Sequence, residues 1–354
     1  MTKFHGLLSL IALSCACTNG GMPHERLMGV SHASASLEQG WGAPTLVPTI
    51  VFTSTRDAAS PADFNGSEIY VMNSDGTDQR RITQNNAGDG FANLSPDGKW
   101  IVFDSNRSRA EGEPLNTSDL FLMRADGSEQ TFLTRGSSAS WSPDGKSIAF
   151  HRSASGTGRP IRIDPGSATI DSDIFIARIE DLEKGMAPTN ITNSPEWIDD
   201  DPDWAPDGQR ITFTRHSVTD NQNNSVTAEI YVMNVDGTGL TRLTTNGEEE
   251  RGPAWSPDGA RIVYSCRKGS NGTFETCVMN ADGSNQQRLS TNTVPDLTAT
   301  FSPDGEKILF HRTANGAQLF TMNADGTNPV QLTNGPGVNL LAHWGVLRVH
   351  VKED

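Results

Sequence analysis

The chain has 354 residues, with 43 acidic and 28 basic side chains and a formal net charge of −15. An acidic surface of this kind repels phosphate backbones, which excludes nucleic acid as a partner. Hydrophobic residues make up only 35% of the chain, while 34 Gly and 19 Pro are present. This composition is typical of short strands joined by turns and unfavourable for long helices.

The chain opens with the features of an export signal. Lys3 supplies a positive charge, and residues 6–14 form an apolar run that is too short to span a bilayer. The run ends in Ser-Cys-Ala-Cys, which resembles a bacterial lipoprotein processing site and favours Cys17 over Cys15 as the acylated residue. Cleavage a few residues later, without acylation, is the alternative.

Residues 1–17 are therefore predicted to be a signal peptide and residues 18–47 a flexible tether, because the second stretch shows no sustained hydrophobic period. No later segment approaches the ~20 apolar residues of a membrane span. We expect a protein of the periplasm or cell surface, associated with a bacterial membrane through a lipid anchor only.

A repeated turn motif marks residues 48–354. Ser-Pro-Asp-Gly occurs at 95–98, 142–145, 256–259 and 302–305, and Ala-Pro-Asp-Gly at 205–208. Pro presets φ at the second position and Gly tolerates positive φ at the fourth, so each copy predicts a tight turn. An alternating strand follows each turn, then a loop and another strand.

Each unit closes in the same way. The strand after the loop enters an Asp-Gly turn, and a short strand then ends in Leu-Thr or a close variant. The third unit lacks the Asp-Gly turn. The closing strands end at residues 83, 134, 192, 244, 290 and 333, which gives six units. A period of this length with four strands predicts a β-propeller.

The two ends of the propeller complement each other. The first unit begins at residues 49–53 without an inner strand, and the chain finishes at Leu340–Trp344, an inner strand without a blade. Pairing this last strand into the first blade would close the ring and remove exposed edges. The predicted fold is therefore an all-β, six-bladed β-propeller closed by the C-terminal strand.

These motifs resemble the WD40-like repeat of the TolB propeller family, whose name-giving member is a periplasmic component of the Tol–Pal envelope system. The resemblance extends from about Pro48 to Trp344. It implies the propeller fold and a binding role in the envelope. In TolB an α/β domain precedes the propeller, and a tether is predicted in its place in this chain.

The segment from Cys266 to Cys277 predicts a disulfide. Asn271-Gly272 is a strong two-residue hairpin turn, and such a turn would place the two cysteines directly opposite each other, within reach of an S–S bond. An exported protein meets an oxidising compartment. Two buried free thiols are the alternative.

The connections between strands predict where a partner binds. Both kinds of short turn belong to one face of the ring, whereas the long, dissimilar loops at 104–118, 151–172 and 215–228 and the inter-blade run at 193–202 belong to the other. Loops held by a rigid scaffold usually carry binding, so the long-loop face is the predicted site. The alternative is that long loops merely tolerate insertion.

One arginine per blade follows the second strand on that face. The six residues are Arg56, Arg107, Arg152, Arg215, Arg267 and Arg312. A ring of guanidinium groups could grip the carboxylates of a peptide or an acidic glycan. Pairing with acids inside the protein is the alternative.

Two further sets of side chains are weaker candidates. His151 and His311 follow strand phenylalanines in opposite blades and are candidate channel-face histidines, with ordinary strand-end positions as the alternative. Acidic residues before the fourth and fifth blades could hold Ca²⁺, but they lack the spacing of a calcium loop and are expected to be solvated. The calcium candidates are Asp199, Asp200, Asp201 and Asp203.

The sequence thus predicts a monomeric, non-catalytic envelope protein that needs no cofactor or metal and binds a protein or peptide on the long-loop face. Gly-x-Ser-x-Gly, His-Glu-x-x-His and phosphate-loop motifs do not occur. A metal-assisted polysaccharide lyase, or a propeller that binds acidic glycans, is the alternative, kept open by His151, Arg152, His311 and Arg312. A purely structural envelope role is a third possibility.

Overall fold

Six four-stranded antiparallel sheets make up the computed structural model of the chain. The structure describes residues 45–60, 64–108, 118–153, 172–217, 228–267, 272–314 and 316–349. The chain divides into two compact units, Leu46–Arg348 and a second unit of Met1–Thr45 with Val349–Asp354. The first unit is the propeller, and the second lies almost entirely outside the described residues.

The sheets are the blades, and the four strands of each blade follow one another outwards from the axis. Blade 1 contains β24 (Asn339–Val349), β1 (Thr45–Ser54), β2 (Glu68–Asn73) and β3 (Arg80–Arg81). Blade 2 contains β4 (Asp89–Leu94), β5 (Trp100–Ser105), β6 (Asp119–Arg124) and β7 (Thr131–Arg135). Blade 3 contains β8 (Ser137–Trp141), β9 (Ser147–Arg152), β10 (Asp173–Arg178) and β11 (Thr189–Asn190).

The second half repeats the arrangement. Blade 4 contains β12 (Trp197–Trp204), β13 (Arg210–Ser217), β14 (Glu229–Asn234) and β15 (Thr241–Arg242). Blade 5 contains β16 (Glu249–Trp255), β17 (Arg261–Arg267), β18 (Phe274–Asn280) and β19 (Gln287–Arg288). Blade 6 contains β20 (Asp296–Phe301), β21 (Lys307–Arg312), β22 (Gln318–Asn323) and β23 (Val330–Gln331). The two helical pieces in the described ranges are α1 (Ile179–Glu183) and a 3-10 turn at Phe64–Gly66.

The ring closes as the sequence predicts, because β24 pairs with β1. This last strand also runs on past Trp344, where the Arg348 backbone N–H donates to the Gly98 carbonyl at 3.3 Å. Gly98 has φ +68, and a Cβ there would lie 2.5 Å from the Val346 carbonyl oxygen. The end of β24 therefore packs on the turn of blade 2, which ties the closing strand to the next blade as well as to its own.

A repeated aromatic position on the second strand fills the core between blades. Phe52, Phe103, Phe150, Phe213, Tyr264 and Phe310 occupy this position and are at most 2% exposed. In five blades the ring faces another ring on the third strand, with centroids 5.5 to 6.1 Å apart. Each blade thus buries a matched layer of side chains, which is why the alternating pattern recurs in every unit.

The Asp-Gly turns lock neighbouring blades together. At Gly76, φ is +87 and a Cβ would lie 2.8 Å from the carbonyl oxygen of Leu332, in the preceding blade. Blade 3 has α1 where the others have the turn, and Leu182 of this helix packs in one buried cluster with Leu133 of blade 2. The helix therefore replaces the missing turn in the contact with the preceding closing strand.

Cys266 and Cys277 form a disulfide, with their Cα atoms 5.9 Å apart. The predicted register was wrong, however. Cys266 pairs with Glu275, Cys277 pairs with Tyr264, and the last pair before the loop is Arg267 with Phe274. The loop is therefore longer than a two-residue Asn-Gly turn, and the S–S bond joins diagonal rather than directly opposed positions.

Several predicted features lie outside the described residues. They are Cys15, Cys17, the signal peptide, most of the tether and most of the three long loops. The first strand begins at Thr45, three residues before the predicted start of the propeller. No helix among the described ranges is long and apolar enough to cross a membrane.

Candidate functional site

The connections divide the ring into two faces. We call the side with the Ser-Pro-Asp-Gly and Asp-Gly turns the turn face. The loop face is the opposite side, where second strands end and inner strands begin. The six arginines predicted from the sequence lie there, at or near the ends of the second strands, and are called the ring arginines.

The turns of the turn face are closed by hydrogen bonds among their own residues. In the Asp-Gly turn of blade 4, Asp236 accepts from the Thr238 hydroxyl at 2.6 Å and from its backbone N–H at 2.9 Å. In a Ser-Pro-Asp-Gly turn, Asp258 accepts from the Ser256 hydroxyl at 2.6 Å and from the Ala260 N–H at 3.0 Å. These bonds lower the pKa of both carboxyl groups. The turn aspartates therefore serve the turns themselves.

A cleft of about 490 Å³ also opens on this face, between blades 5 and 6. Arg261, Asn280, Glu306 and Asp325 contribute to its lining. Arg261 stacks over Phe301 at 5.0 Å, and Asp325 is held in its own turn by Thr327. These two charged groups of the cleft are thus engaged in local structure.

A β-bulge or similar irregularity interrupts the inner strand of blades 2 to 6. One residue per blade has positive φ, between +48 and +58: Phe91, Ser138, Asp201, Gly252, Thr298 and Leu341. For a residue other than Gly this backbone conformation is costly. Its recurrence in every blade shows that the fold requires it.

Side chains of the preceding blade hold these bulges. The residue that follows the strand aromatic accepts a hydrogen bond from the bulge N–H of the next blade. The bonds run from Ser138 to Asp104 at 3.1 Å, from Asp201 to His151 at 3.2 Å, from Gly252 to Thr214 at 3.0 Å and from Thr298 to Ser265 at 3.2 Å. The shared position links consecutive blades around the axis.

The two candidate histidines therefore have structural contacts. His151 is 2% exposed and accepts through Nδ1, which leaves Nε2 to carry the proton, 3.9 Å from an Asp200 oxygen. His311 is 5% exposed, and its Nδ1 lies 2.6 Å from the Thr298 hydroxyl of its own blade. Burial lowers the pKa of His311 to about 4, so it is neutral at physiological pH.

Four ring arginines pair with a carboxylate at the start of the inner strand of their own blade. Arg215 grips Asp199 with two bonds of 2.6 and 2.7 Å, and Arg312 grips Asp296 with bonds of 2.7 and 2.8 Å. Arg107 bonds Asp89, and Arg267 bonds Glu249. These acids are nearly or fully buried, so each pair is a structural clasp between the first two strands.

Blade 1 keeps the same arrangement with neutral partners. Arg56 donates to the amide oxygens of Gln79 and Asn339, both at 2.8 Å. Its guanidinium also stacks over the Tyr70 ring at 4.7 Å. Asn339 thus takes the position that an acid holds in four other blades.

Blade 3 departs from this pattern. Ser137 pairs with His151, and extending that register by one residue places Gly136 opposite Arg152. Arg152 stacks on Phe175 at 4.3 Å, while its buried Nε has no hydrogen-bond partner among the described residues. Within the same ranges no ion pair involves this guanidinium. Burial lowers its pKa.

The four calcium candidates do not converge. They lie on strand β12 rather than in an inter-blade loop. Asp199 is bound to Arg215, and Asp203 accepts from the Trp255 N–H of blade 5 at 2.8 Å. Within the described ranges, no group of three or more His, Cys, Asp or Glu side chains is arranged to hold a metal ion.

Sequence reasoning missed a second repeated polar contact. In five blades an acid or amide near the start of the third strand bonds the hydroxyl of the closing motif, as from Thr83 to Glu68 and from Thr244 to Glu229, both at 2.6 Å. The same hydroxyl accepts the backbone N–H of Ile69 in the first case. In blades 1, 4, 5 and 6 the two residues are 15 apart in the sequence, and this spacing was the available signal.

An exposed aromatic and a polar cluster complete the loop face of blade 4. Trp197 is 37% exposed, and the Arg215 guanidinium lies 5.6 Å from its ring. Asp200 lies between two imidazoles, with His216 Nε2 at 3.4 Å and His151 Nε2 at 3.9 Å. Blades 3 and 4 thus present a sector of charged and aromatic side chains on the loop face.

Comparisons with known proteins agree with this architecture. The TolB beta propeller domain model matches residues 166–348, about half of the chain. The TolB crystal structure from Acinetobacter baumannii superposes with a TM-score of 0.65 at 19% identity, over 84% of this chain and 66% of that one. At that identity the likeness concerns the fold.

Two relatives match over shorter stretches. The protein Atu1656 of Agrobacterium fabrum is 28% identical over 174 residues, which is 48% of each chain. Dipeptidyl-peptidase 5 of Porphyromonas gingivalis is 36% identical over 67 residues, 19% of this chain and 10% of that protein. The matches therefore cover less than half the length of either relative. Together with the six blades and their turns, the domain match establishes that the chain belongs to the TolB beta-propeller domain family.

Proposed function

We propose that the protein is a non-catalytic component of the bacterial cell envelope whose propeller binds a protein or peptide partner on the loop face. The observation that carries this proposal is the contrast between the faces. The turn face consists of near-identical turns closed by local bonds, whereas the described loop face of blades 3 and 4 has a guanidinium without an ion pair and an exposed Trp197. Arginine and tryptophan are the side chains that most often anchor protein partners.

The envelope location rests on the sequence and on the family. The chain belongs to the TolB propeller family, and its resemblance to TolB implies a periplasmic setting. Cys17, with Cys15 as the alternative, is the proposed acylated residue, and residues 18–47 the proposed tether. Metabolic labelling with a radioactive fatty acid should mark the wild type and not the variant Cys17→Ala. Label on both proteins would refute Cys17 as the lipidated residue.

A metal-assisted lyase receives no support from these side chains. His151 and His311 each bond neighbouring backbone or hydroxyl groups, and the four aspartates of blade 4 serve different contacts. These groups hold blades together rather than converge on one reacting atom, as an active site requires.

Site-specific photocrosslinking tests which face binds. A benzophenone amino acid replaces Trp197 on the loop face, and in a matched protein it replaces Lys307 on the turn face; both side chains are exposed. Irradiation in the envelope should give a discrete adduct from position 197 and none from position 307. Adducts from position 307 alone, or from neither position, would contradict the proposal.

A further inference from the structure

Blade 3 lacks the acid that pairs with the ring arginine in blades 2, 4, 5 and 6. In blades 4, 5 and 6 the residue paired with the ring arginine in the strand register is an acid, as in Asp199 with Arg215, Glu249 with Arg267 and Asp296 with Arg312. The corresponding residue opposite Arg152 is Gly136. The clasp has therefore lost its acidic half in this blade.

The backbone at Gly136 accepts no side chain. Its φ is +150, and a Cβ there would lie 2.5 Å from Cδ2 of Phe150. Since the blade itself cannot supply a carboxylate at this position, the space beside Arg152 that an acid fills elsewhere contains no side chain of residue 136.

The acid on the other side of Arg152 does not replace the missing one. Asp173 is the cross-strand partner of Arg152 in β10. Its two oxygens accept from Asn190 at 2.8 Å, from the Thr192 hydroxyl at 2.9 Å and from the Ser194 N–H at 2.9 Å. No ion pair joins it to the guanidinium among the described contacts. Asp173 therefore does not supply Arg152 with the paired oxygens of a clasp.

The remaining groups hold Arg152 ready for a ligand. Stacking on Phe175 at 4.3 Å fixes the plane of the guanidinium. The side chain is partly exposed, and the neighbouring His151 ties β9 to the inner strand of blade 4. A planar, oriented guanidinium binds carboxylates through two parallel hydrogen bonds.

We propose that Arg152 is the anchor for a carboxylate of the bound partner, which takes the place that Asp199, Glu249 and Asp296 hold in their own blades. This rests on the proposed function and specifies its chemistry: the partner is a peptide or protein that presents an acidic side chain or its C-terminal carboxylate to the loop face of blade 3. The expected geometry is that of the internal clasps, with N–O distances near those of Arg312 and Asp296.

The net charge of −15 makes the test selective, because nonspecific attraction of an anion by this protein is unfavourable. The probes are three acetylated alanine pentapeptides. The first carries a central Glu and an amidated C-terminus, the second a central Gln and an amidated C-terminus, and the third a central Gln and a free C-terminal carboxylate. Binding is followed by NMR titration of the wild type, Arg152→Gln, Arg152→Lys and Lys307→Gln. The last is the control, because it removes one positive charge from the turn face.

We expect the Glu peptide, the free-carboxylate peptide or both to bind the wild type and Lys307→Gln with equal affinity. The amidated Gln peptide should bind neither of these two proteins. Arg152→Gln should weaken binding at least tenfold. The affinity of Arg152→Lys should lie between those of the wild type and Arg152→Gln, because lysine keeps the positive charge but cannot donate two parallel hydrogen bonds from a planar group. The probe that binds identifies which carboxylate is recognised.

Three results would overturn the inference. They are unchanged binding by Arg152→Gln, equal losses in Arg152→Gln and Lys307→Gln, and binding of an oligogalacturonate probe with none of the peptides. A loop-face crosslink at position 197 that persists together with any of these would leave the proposed function standing and remove only the role of Arg152. Thermal unfolding of each variant verifies that it is folded.

Discussion

On the loop face, blades 3 and 4 carry a ring arginine at the same strand position, but the two arginines have different partners. In blade 4, Arg215 is 6% exposed and grips the fully buried Asp199. In blade 3, Arg152 occupies the same strand position but lies opposite Gly136. Both guanidinium groups lie over a third-strand ring, Arg152 over Phe175 and Arg215 over Tyr231. An identical arginine is thus a structural clasp in one blade and a proposed recognition group in the next. The difference lies in the residue opposite the arginine at the start of the inner strand, which is Asp199 in blade 4 and Gly136 in blade 3.

The largest expected effect comes from removing the two arginines in turn. Arg215→Ala leaves the Asp199 carboxylate buried without its cation and should lower the free energy of unfolding by about 3–5 kcal/mol. Arg152→Ala removes only the stacking on Phe175 and should cost about 1 kcal/mol or less. Urea denaturation measures both. Equal losses would show that Arg152 also takes part in a clasp and would break the comparison.

Gly136 provides the next test. Gly136→Ala places a Cβ against Phe150 in an unfavourable backbone conformation and should cost about 1–3 kcal/mol. Gly185→Ala is the matched control, since Gly185 also has positive φ but nothing lies within 4 Å of its would-be Cβ. A smaller loss at Gly136 than at Gly185, measured in the same denaturation series, would mean that blade 3 can accept a side chain there.

Asp203, on the inner strand of blade 4, should make the stability of the protein depend on pH. Burial raises its pKa to about 6, against the opposing effect of the Trp255 N–H bond. Ionising Asp203 therefore costs more in the folded than in the unfolded protein, and this cost grows as pH rises from about 4 to about 6. The stability of Asp203→Asn relative to the wild type should increase over that interval and stay level above it. Denaturation curves at several pH values measure this. If the difference in the free energy of unfolding between Asp203→Asn and the wild type did not change with pH, the raised pKa of Asp203 would be contradicted.

The smallest effect is expected on the turn face. Asp258→Asn keeps an acceptor for Ser256 and Ala260, so the free energy of unfolding should change by no more than about 0.5 kcal/mol. Binding of the carboxylate peptides should be unchanged. A clear loss of binding in this variant would place recognition on the wrong side of the ring.

The sequence predicted those features of the fold that repeat along the chain. Turn motifs and closing strands established six blades, and the unpaired strands at the two ends predicted closure by β24. The predicted register around Cys266 is wrong because it depends on a two-residue Asn-Gly turn, whereas the loop between Arg267 and Phe274 is longer. Local composition does not reveal how many residues a loop contains before pairing resumes.

The site was less predictable because its contacts join distant parts of the chain. The ring arginines were found from their constant position, but the clasp acids lie 16 or 18 residues earlier, on a different strand. His151 reaches a backbone N–H 50 residues away in the next blade. What matters in blade 3 is an acid that is missing, and only alignment of the blades in space makes that absence visible.

A crystal structure of the protein with the Glu pentapeptide, or with the free-carboxylate peptide if that one binds more tightly, tests the account most directly. It should show a peptide carboxylate on Arg152 with two N–O contacts near 2.7 and 2.8 Å, as Arg312 makes with Asp296. The other ring arginines should keep the partners they have now. A carboxylate bound elsewhere on the ring, with Arg152 unoccupied, would contradict it.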